Sequence, residues 1–582
     1  MRNAKIVCTL GPASDDEVTI RGLADAGMTV ARLNASHGTR DERAALIERI
    51  RQVDQTVEQP VATMLDLQGP EIRTADVESP ITLADGAEVR FVEGDVVESG
   101  TIGLTLGLRG VEPGDRVLID DGRIETVVTE IRGDVVLAQV ESGGQLEGRR
   151  GVNVPGVSLD VDLITEADRK DLELAAETAV DFVAASFVRD GDDVLEVNAQ
   201  VEAFGGEIPI IAKIEMADAV SNLDSIIDAA YGVMVARGDL GVECDLEEVP
   251  LIQKRIIRRC QRAGSPVITA TEMLDSMVHQ PRPTRAEASD VANAVLDGTD
   301  AVMLSGETAV GDHPIDVVET MDRIVREIES SDEYDELSEQ RVPPAEASST
   351  DALARSARFL ARDVGASAVV VASESGYTAL KTAKFRPPVP IVAATPNDRV
   401  RRQLALSWGA APQFADLADS GVAGVIENAV QSALDSGLVA SGDTVVVLSG
   451  MMTELDRSTT NTLKVHVAAE RVATGRGVVA GRAVGPIARS STGALDDVPD
   501  GSILALSAEF EGEFSGDMTK LVGIVHEIPG MTGYPAMVAR ELGVPMASGL
   551  TIPPAIDDGT VVTLDGERGV VYRGDITHRP TA

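Results

Sequence analysis

Cysteine is scarce in this sequence of 582 residues. The three cysteines, Cys8, Cys244 and Cys260, are widely separated, which argues against a disulfide framework or a zinc site. Their expected role is packing in the core. Long hydrophobic runs are also missing. Although 43% of the residues are hydrophobic, the sequence contains no run of about eighteen apolar residues, so a membrane-spanning helix is not expected.

Positive charge is the second scarcity. Lysine and arginine number 51 against 95 acidic residues, the formal net charge is −44, and only 8 of the 51 are lysine. No basic stripe is visible that could follow a row of phosphates, so a nucleic acid is not expected as a partner. The charge opposes compaction at ordinary salt, whereas molar salt shortens the Debye length to about 3 Å. We therefore expect a halophilic source; an acidic protein indifferent to salt is the alternative.

The start of the sequence, MRNAKIVC, leads directly into a strand-like segment and lacks the features of a signal peptide. We therefore expect a cytoplasmic protein. The length of the chain predicts about four domains of ordinary size.

Eight short runs of β-branched and apolar residues alternate with helix-sized segments. Helical periodicity is clear, for example, over 42–53 and 249–262. This alternation predicts an α/β protein built on a (β/α)8 TIM barrel. The predicted strands cover 5–10, 28–33, 61–66, 181–185, 208–213, 232–236, 266–270 and 300–304.

One gap between these strands is too long for a barrel connection. Between residues 73 and 157, short alternating runs are broken by turn dipeptides such as Asp85-Gly86 and Asp121-Gly122, which are typical of antiparallel strands. We predict a small inserted β-barrel domain that acts as a lid and excludes water from the mouth. The predicted domains are the barrel over 1–72 plus 158–333, the lid over 73–157, an α/β domain over 345–470 after a solvated linker, and an appended domain over 475–582.

Charged side chains end two neighbouring strands of the predicted barrel. Lys213 and Glu215 alternate at the end of one strand, so their side chains point the same way, and Asp239 follows the next strand. The carboxyl ends of barrel strands converge on one mouth. Two carboxylates suit Mg²⁺, which keeps waters and takes substrate phosphate oxygens, and the lysine can neutralise a phosphoryl group in transfer. A solvated Lys-Glu pair is the alternative for this motif taken alone.

Other predicted strand ends carry polar groups as well. Arg32 and Arg73 present forks that match phosphate or carboxylate oxygens. Thr271 is a hydroxyl that could relay a proton through water. A further cluster of oxygen ligands has one net charge and suits a monovalent ion, although turn hydrogen bonds are an alternative role; it consists of Asn34, Ser36 and Asp66.

Eight strings of the sequence resemble the pyruvate kinase family. They are KIVCTLGPAS at 5–14, ARLNASHG at 31–38, GPEIRT at 69–74, AKIE at 212–215, MVARGDLG at 234–241, PRPTRAE at 281–287, SDVANAVLDG at 289–298 and MLSGETA at 303–309. The resemblance covers about residues 1–470, in the order of the family's barrel, lid and C-terminal domain. It implies that the phosphoryl group of phosphoenolpyruvate passes to ADP, giving pyruvate and ATP, with Mg²⁺ or Mn²⁺ and with K⁺. It also implies a homotetramer.

The same resemblance implies roles for residues at the mouth. Lys213 would stabilise the transferring phosphoryl group beside Arg32, Glu215 and Asp239 would hold the divalent metal, and Thr271 would lie near the enolate. The remaining implied contacts are the substrate carboxylate on the backbone of Ala236, Arg237 and Gly238, K⁺ on Asn34, Ser36, Asp66 and the backbone of Leu67, and the nucleotide phosphates near Asn34, His37 and Arg73.

One departure from the family pattern concerns the monovalent ion. Potassium-requiring members commonly read Asp-Thr-Lys-Gly-Pro-Glu, whereas this chain reads Asp66-Leu-Gln68-Gly-Pro-Glu71. Leu-Gln usually accompanies a lysine in place of Glu71, and that internal ammonium replaces K⁺. Because Glu71 keeps its negative charge, we predict that a monovalent cation is still needed.

The C-terminal half carries two weaker resemblances. The loop formed by Ser373, Ser375, Gly376 and Thr378 is similar to the hydroxyl-rich loop that binds sugar phosphate effectors in relatives, although a plain turn is an equal alternative. The appended segment resembles the swivelling phosphohistidine domain of phosphoenolpyruvate-using enzymes. It has Tyr534 at the position of the histidine, and tyrosine lacks the nucleophilic imidazole nitrogen, so a structural role is expected.

Two other classes of function are weighed against the kinase. A metal-dependent barrel lyase or aldolase would use the same carboxylates but would not need the inserted lid or a nucleotide site. A non-catalytic metabolite sensor would be expected to have lost the lysine or a metal carboxylate, and Lys213, Glu215 and Asp239 are all present. Fold alone would not decide between these classes.

Overall fold

The computed structural model describes residues 2–98, 100–157, 161–417, 421–450 and 460–576. The predicted domain boundary at residue 158 and the end of the appended domain, 577–582, lie outside these residues. The chain divides into two compact units. The first contains 1–345, 383–386 and 398–412, and the second contains 346–382, 387–397 and 413–582.

The first unit is built on a closed barrel of eight parallel strands. The strands are β1 (Lys5–Leu10), β2 (Val30–Asn34), β3 (Ala62–Asp66), β4 (Phe182–Ala185), β5 (Ile210–Ile214), β6 (Gly232–Ala236), β7 (Val267–Ala270) and β8 (Ala301–Leu304). They close in sequence order, with β1 pairing with both β2 and β8. Each lies within two residues of its predicted position, so the predicted barrel is confirmed.

The helices of the first unit begin and end at recognisable sequence signals. Capping boxes start three of them, for example at Thr39 with Glu42 and at Thr284 with Glu287. The helices are Glu17–Ala26, Arg40–Asp54, Glu166–Thr178, Gly191–Ala203, Ala217–Ser221, Leu223–Ala229, Arg237–Glu243, Val249–Ala263, Arg285–Asp297, Gly306–Ala309, Pro314–Glu329, Asp332–Gln340 and Asp398–Gln403, with 3-10 turns at Asp275–Val278 and Leu404–Leu406.

The segment predicted to be a solvated linker after the barrel is instead partly helical, over Asp332–Gln340. Ser331 caps this helix by accepting a hydrogen bond from the backbone N–H of Tyr334. The hydroxyl of Tyr334 in turn accepts a hydrogen bond from Nε1 of Trp408 at 3.1 Å. The acidic composition that indicated a linker therefore belongs to a surface helix that is anchored by one aromatic side chain.

The inserted lid has its own apolar core and a mainly antiparallel sheet. The seven strands of the larger sheet, in spatial order, are Val152–Asn153, Arg116–Ile119, Ile124–Arg132, Val135–Ser142, Glu88–Glu93, Thr101–Leu104 and Val97–Glu98; Ile81–Leu83 pairs separately with Gly144–Leu146. The expectation of antiparallel pairing fails at one place, where 88–93 and 101–104 are parallel. The two-residue strand 97–98 pairs antiparallel with 101–104. The strand 101–104 therefore runs in the same direction as 88–93.

The second unit contains an α/β sheet and the appended domain. In the α/β sheet, Ala368–Ala372 lies between Ile391–Thr395 and Thr444–Gly450, which pairs with Thr460–Val467. The helices are Ser349–Asp363 and Gly421–Asp435, while Tyr377–Lys384 and the strand Ala410–Phe414 cross the division between the units. The appended domain has strands Arg471–Thr474, Arg476–Val479, Arg482–Ser490, Ser502–Leu506, Leu521–His526, Met546–Ser548, Val561–Asp565 and Val570–Arg573, the helix Tyr534–Leu542 and a 3-10 turn at Met518–Lys520.

Within the described ranges, no helix has both the length and the apolar character that a membrane span requires.

Candidate active site

Lys213 is the centre of the polar cluster at the barrel mouth. It lies near the end of β5, and its Nζ donates a hydrogen bond to Oγ of Ser186 at 2.8 Å. The same Nζ lies 3.2 Å from Oε2 of Glu215 and 3.6 Å from Oδ1 of Asp66. Because Glu215 and Asp66 are 2% and 1% exposed, the ammonium holds two largely desolvated carboxylates together.

The protonation of this cluster follows from its burial and its charges. Burial alone would lower the pKa of Lys213, but the carboxylates of Asp66, Glu215 and Asp239 outweigh it and the pKa is raised. Lys213 is therefore charged at neutral pH. The pKa of Glu215 is raised to about 7, because burial outweighs the opposing positive charge of Lys213. A divalent cation bound here would favour the ionised carboxylate.

Ser186 is a member of the cluster that the sequence reasoning missed. It follows β4 directly, is 3% exposed and donates a hydrogen bond from Oγ to the carbonyl oxygen of Leu67 at 2.7 Å. Its oxygen therefore links the lysine to the loop after β3. The signal that could have identified it is its place at the carboxyl end of a barrel strand, where functional side chains gather.

Asp66 and Arg32 form a buried ion pair beside the lysine. Nε and Nη2 of Arg32 both lie 2.6 Å from Oδ2 of Asp66, and Nη1 donates to Oγ1 of Thr9 at 2.8 Å. The other carboxylate oxygen, Oδ1, is buried and accepts no hydrogen bond from the described part of the chain. It faces the Lys213 ammonium at 3.6 Å, which is beyond hydrogen-bond distance, so this atom still fits the coordination of a cation.

The other residues predicted for a monovalent ion lie on the same two strand ends. Asn34 ends β2 and pairs in register with Asp66 of β3. Oδ1 of Asn34 accepts a hydrogen bond from the backbone N–H of Ser36 at 3.1 Å. The carbonyl oxygen of Leu67 accepts a hydrogen bond from Oγ of Ser186, and its second lone pair remains available to a cation. The donor set consists of neutral oxygens and one carboxylate, as the sequence indicated.

The loop after β6 carries the predicted carboxylate-binding backbone. Ala236 ends the strand, and Arg237 opens the helix Arg237–Glu243. The guanidinium of Arg237 donates to the carbonyl oxygens of Ala270 at 3.0 Å and Thr271 at 2.6 Å, and Nη1 lies 2.6 Å from Oδ2 of Asp290. The side chain of Arg237 therefore ties the loop after β6 to the end of β7.

Thr271 adopts a backbone conformation that is rare for a β-branched residue. Its φ is +64°, and its Oγ1 donates to its neighbour's carbonyl, that of Ala270, at 2.8 Å. The backbone N–H of Gly238 donates to the same Oγ1 at 2.9 Å. Strain of this kind persists where the surroundings fix it and is frequent at functional sites. The hydroxyl of Thr271 is thus held at the rim next to the backbone of Gly238.

Asp239 and Glu215 are the pair predicted to hold the divalent metal. Asp239 is exposed at the mouth, whereas Glu215 is buried and its Oε1 accepts a hydrogen bond from the backbone N–H of Phe187 at 2.8 Å. Across the described ranges, no group of three or more His, Cys, Asp and Glu side chains could hold a metal. Two carboxylates, one of them open to solvent, fit Mg²⁺, which keeps several waters and substrate oxygens.

The residues predicted to lie near the nucleotide are on the exposed side of the mouth. His37 is exposed, and its carbonyl oxygen accepts a hydrogen bond from Nη1 of Arg43 at 3.0 Å. Arg73 lies at the start of the lid, where Nη2 is 2.8 Å from Oε1 of Glu71 and Nη1 donates to the carbonyl oxygen of Arg149 at 3.1 Å. Glu71 therefore has a cationic partner in Arg73.

The predicted effector loop lies at the carboxyl end of the strand Ala368–Ala372. The next strand in sequence, Ile391–Thr395, pairs on one side of it, and the later strand Thr444–Gly450 pairs on the other side. Open α/β sheets bind ligands at the carboxyl ends of strands where the strand order reverses in this way. Ser373 is buried, Gly376 has a φ of +79°, and the Oγ of Ser375 is 3.5 Å from the backbone N of Tyr377. Thr378 is already paired, since its Oγ1 lies 2.7 Å from that of Thr460.

Tyr534 opens the helix Tyr534–Leu542 of the appended domain. Its hydroxyl accepts a long hydrogen bond from the backbone N–H of Phe514 at 3.4 Å, and the two ring centroids are 5.5 Å apart. The side chain thus packs against an aromatic neighbour.

The fold and the mouth together define a barrel phosphotransferase: a cationic lysine stands among metal-suited carboxylates on a (β/α)8 barrel with an inserted β domain. Three family descriptions match in order, namely "Pyruvate kinase, barrel domain" over residues 1–318, "Pyruvate kinase, alpha/beta domain" over 351–466 and "PEP-utilising enzyme, mobile domain" over 498–569. The chain belongs to the pyruvate kinase family.

Similar proteins span the whole chain. The pyruvate kinases of Bacillus licheniformis and Geobacillus stearothermophilus are each 41% identical to it, over 99% and 98% of this chain and 99% of each relative. The pyruvate kinase of Sporosarcina psychrophila is 39% identical over 99% of both chains. These likenesses confirm the predicted fold class and the predicted phosphotransferase function.

Proposed function

We propose that the chain transfers the phosphoryl group of phosphoenolpyruvate to ADP, giving pyruvate and ATP in glycolysis. The observation that carries this proposal is the position of the Lys213 ammonium, 3.2 Å from Glu215 and 3.6 Å from Asp66 at the carboxyl ends of the barrel strands. Incubation with phosphoenolpyruvate and Mg²⁺, with and without ADP, tests it by ³¹P NMR. Loss of the substrate resonance should require ADP; loss at the same rate without ADP would contradict the proposal.

Phosphoryl transfer needs fixed positive charge where negative charge is spread over the moving group. We assign this to Lys213, with Arg32 presenting its guanidinium next to it. Glu215 and Asp239 would hold Mg²⁺ or Mn²⁺, which when bound supplies further charge neutralisation and orients phosphate oxygens. The ion pair of Arg32 with Asp66 fixes the guanidinium before substrate arrives, so little reorganisation is needed during transfer.

The substrate carboxylate would be held by backbone N–H groups of the loop 236–238, with Ala236, Arg237 and Gly238 as its members. The bonds from Arg237 to two carbonyl oxygens and to Asp290 support this role by keeping the loop in place. Thr271 would then lie next to the bound enolate. Its hydroxyl can pass a proton to carbon through water, which completes the formation of pyruvate.

Potassium is proposed to bind Asn34, Ser36, Asp66 and the carbonyl oxygen of Leu67. The undonated Oδ1 of Asp66 supports this assignment. We expect activity in KCl to exceed that in tetramethylammonium chloride of equal ionic strength by at least about tenfold, since the bulky ion cannot replace oxygen coordination. The measurement is initial rate at matched salt concentrations. Equal rates in the two salts would show that this oxygen cluster holds no required cation.

Nucleotide phosphates are proposed to bind near Asn34, His37 and Arg73, beneath the lid.

The proposed functional domains are the barrel over 1–72 and 158–333, the lid over 73–157, the α/β domain over 345–470 and a phosphohistidine-like extension over 475–582 that lacks the histidine. The loop of Ser373, Ser375, Gly376 and Thr378 is proposed as an effector site. We also propose a cytoplasmic homotetramer.

The acidic composition is proposed to be an adaptation to a salt-rich, halophilic cytosol. A net charge of −44 repels itself at low ionic strength and is screened when the Debye length approaches about 3 Å. We expect the thermal unfolding midpoint to rise by several degrees from dilute buffer to molar KCl. Differential scanning calorimetry measures this, with tetramethylammonium chloride as the control for screening alone. A midpoint that is unchanged or falls with salt would show that the charge is not a salt adaptation.

A further inference from the structure

A cavity of about 260 Å³ in the second unit has four cationic side chains in its lining. Its lining includes Lys464, Arg471, Arg482 and Arg568, together with His466. In a chain with 51 basic and 95 acidic residues, four cations around one cavity run against the composition. This clustering points to a function other than solubility.

The α/β sheet and the appended domain both contribute to the cationic wall. Lys464 and His466 alternate in the last strand of the α/β sheet, Thr460–Val467, so their side chains lie on the same face. The appended domain supplies the others, with Arg482 opening its strand Arg482–Ser490 and Arg568 preceding its last strand. Both the α/β sheet and the appended domain therefore line the cavity.

The carboxylates near the cavity neutralise only part of its charge. Glu427 lies 2.8 Å from Arg568 and 3.7 Å from Arg471. Asp565 lies 2.9 Å from Arg482. No ion pair of Lys464 occurs in the described parts of the chain. Four cations thus meet two carboxylates, and two positive charges remain.

The pKa of His466 reflects the positive electrostatic potential in the cavity. Burial and the positive charges of Lys464, Arg568 and Arg482 together lower the pKa of its imidazole to about 4. The ring is therefore neutral at neutral pH and offers both a donor and an acceptor nitrogen. An anion in the cavity would offset the repulsion that keeps the ring unprotonated.

We propose that this cavity binds a small phosphate-bearing anion, either free phosphate or a phosphate monoester, held jointly by the α/β sheet and the appended domain. Guanidinium forks match phosphate oxygens, and Lys464 supplies an unpaired point charge. Tyr572, which also lines the cavity and is 8% exposed, offers an apolar ring to the organic part of a monoester. The site is distinct from the loop of Ser373 and Thr378 and does not depend on the assigned catalytic roles.

The test is isothermal titration of the full chain with inorganic phosphate and, separately, with glycerol phosphate. The variant Lys464→Gln should weaken binding by about tenfold, since it removes one charge-assisted contact without breaking an ion pair. Lys170→Gln, an exposed lysine of the barrel helix Glu166–Thr178, is the matched control and should bind as the wild type does. Binding of either ligand with this pattern supports the site. Absence of binding, or equal affinity in Lys464→Gln, overturns it.

A second measurement separates this cavity from other phosphate sites in the chain. Sulfate keeps its charge between pH 7 and pH 5, so any tightening of its binding reports protonation of the protein. The tightening expected as His466 takes up a proton beside the anion should be lost in His466→Gln. Tightening that is identical in the variant would place the anion elsewhere and overturn the proposal.

Discussion

Replacing Lys213 by methionine should lower kcat by about a thousandfold, because the fixed charge that stabilises the transferring phosphoryl group is lost. The variant also leaves Glu215 and Asp66 facing each other, and removing one partner of a buried pair costs about 3–5 kcal/mol of stability. The thermal midpoint must therefore be measured beside the initial rate, at saturating phosphoenolpyruvate, ADP and Mg²⁺.

The matched control for this variant is Lys254→Met. Lys254 also pairs with a buried carboxylate, that of Asp297, but it lies on the outer helix Val249–Ala263 and has no contact with Glu215 or Asp66 in the described ranges. It should lose stability while keeping kcat near the wild-type value. A Lys213→Met enzyme that is folded and turns over at a rate similar to the control would refute the central role of the ammonium.

The second large effect is expected at the metal pair. Asp239→Asn removes a charged oxygen ligand at the exposed side of the mouth, so the Mg²⁺ concentration for half-maximal activity should rise by about tenfold to a hundredfold. A titration of initial rate with Mg²⁺ measures this, and the fold should be preserved because the residue is exposed. Asp228→Asn, an exposed aspartate of the helix Leu223–Ala229, is the control. An unchanged Mg²⁺ response in Asp239→Asn would remove this residue from the metal site.

The barrel could be predicted from sequence because its signal is local and repeated. Each strand is a short apolar run, and its carboxyl end is marked by a polar or charged residue, as at Asn34, Asp66 and Lys213. The same rule gathers these residues at one mouth whatever the details of packing. Resemblance to family motifs then implied roles that spacing alone could not give.

Contacts that depend on tertiary structure could not be predicted from the sequence. A single serine after an apolar strand is ordinary in sequence, so Ser186 stood out only once its oxygen was seen between Leu67 and Lys213. The bracing role of Arg237 depends on Asp290, which follows it by 53 positions. An acidic segment reads as a linker until the contact of Tyr334 with Trp408 is known.

The ratio of pyruvate to ATP formed from phosphoenolpyruvate, ADP and Mg²⁺ in KCl distinguishes phosphoryl transfer from the other reactions open to these carboxylates. We expect one ATP for each pyruvate, with both products reduced together in Lys213→Met. Pyruvate without ATP would instead indicate hydrolysis or a lyase-type reaction at the same carboxylates. Absence of both products from the folded wild-type chain would contradict the proposed phosphoryl transfer.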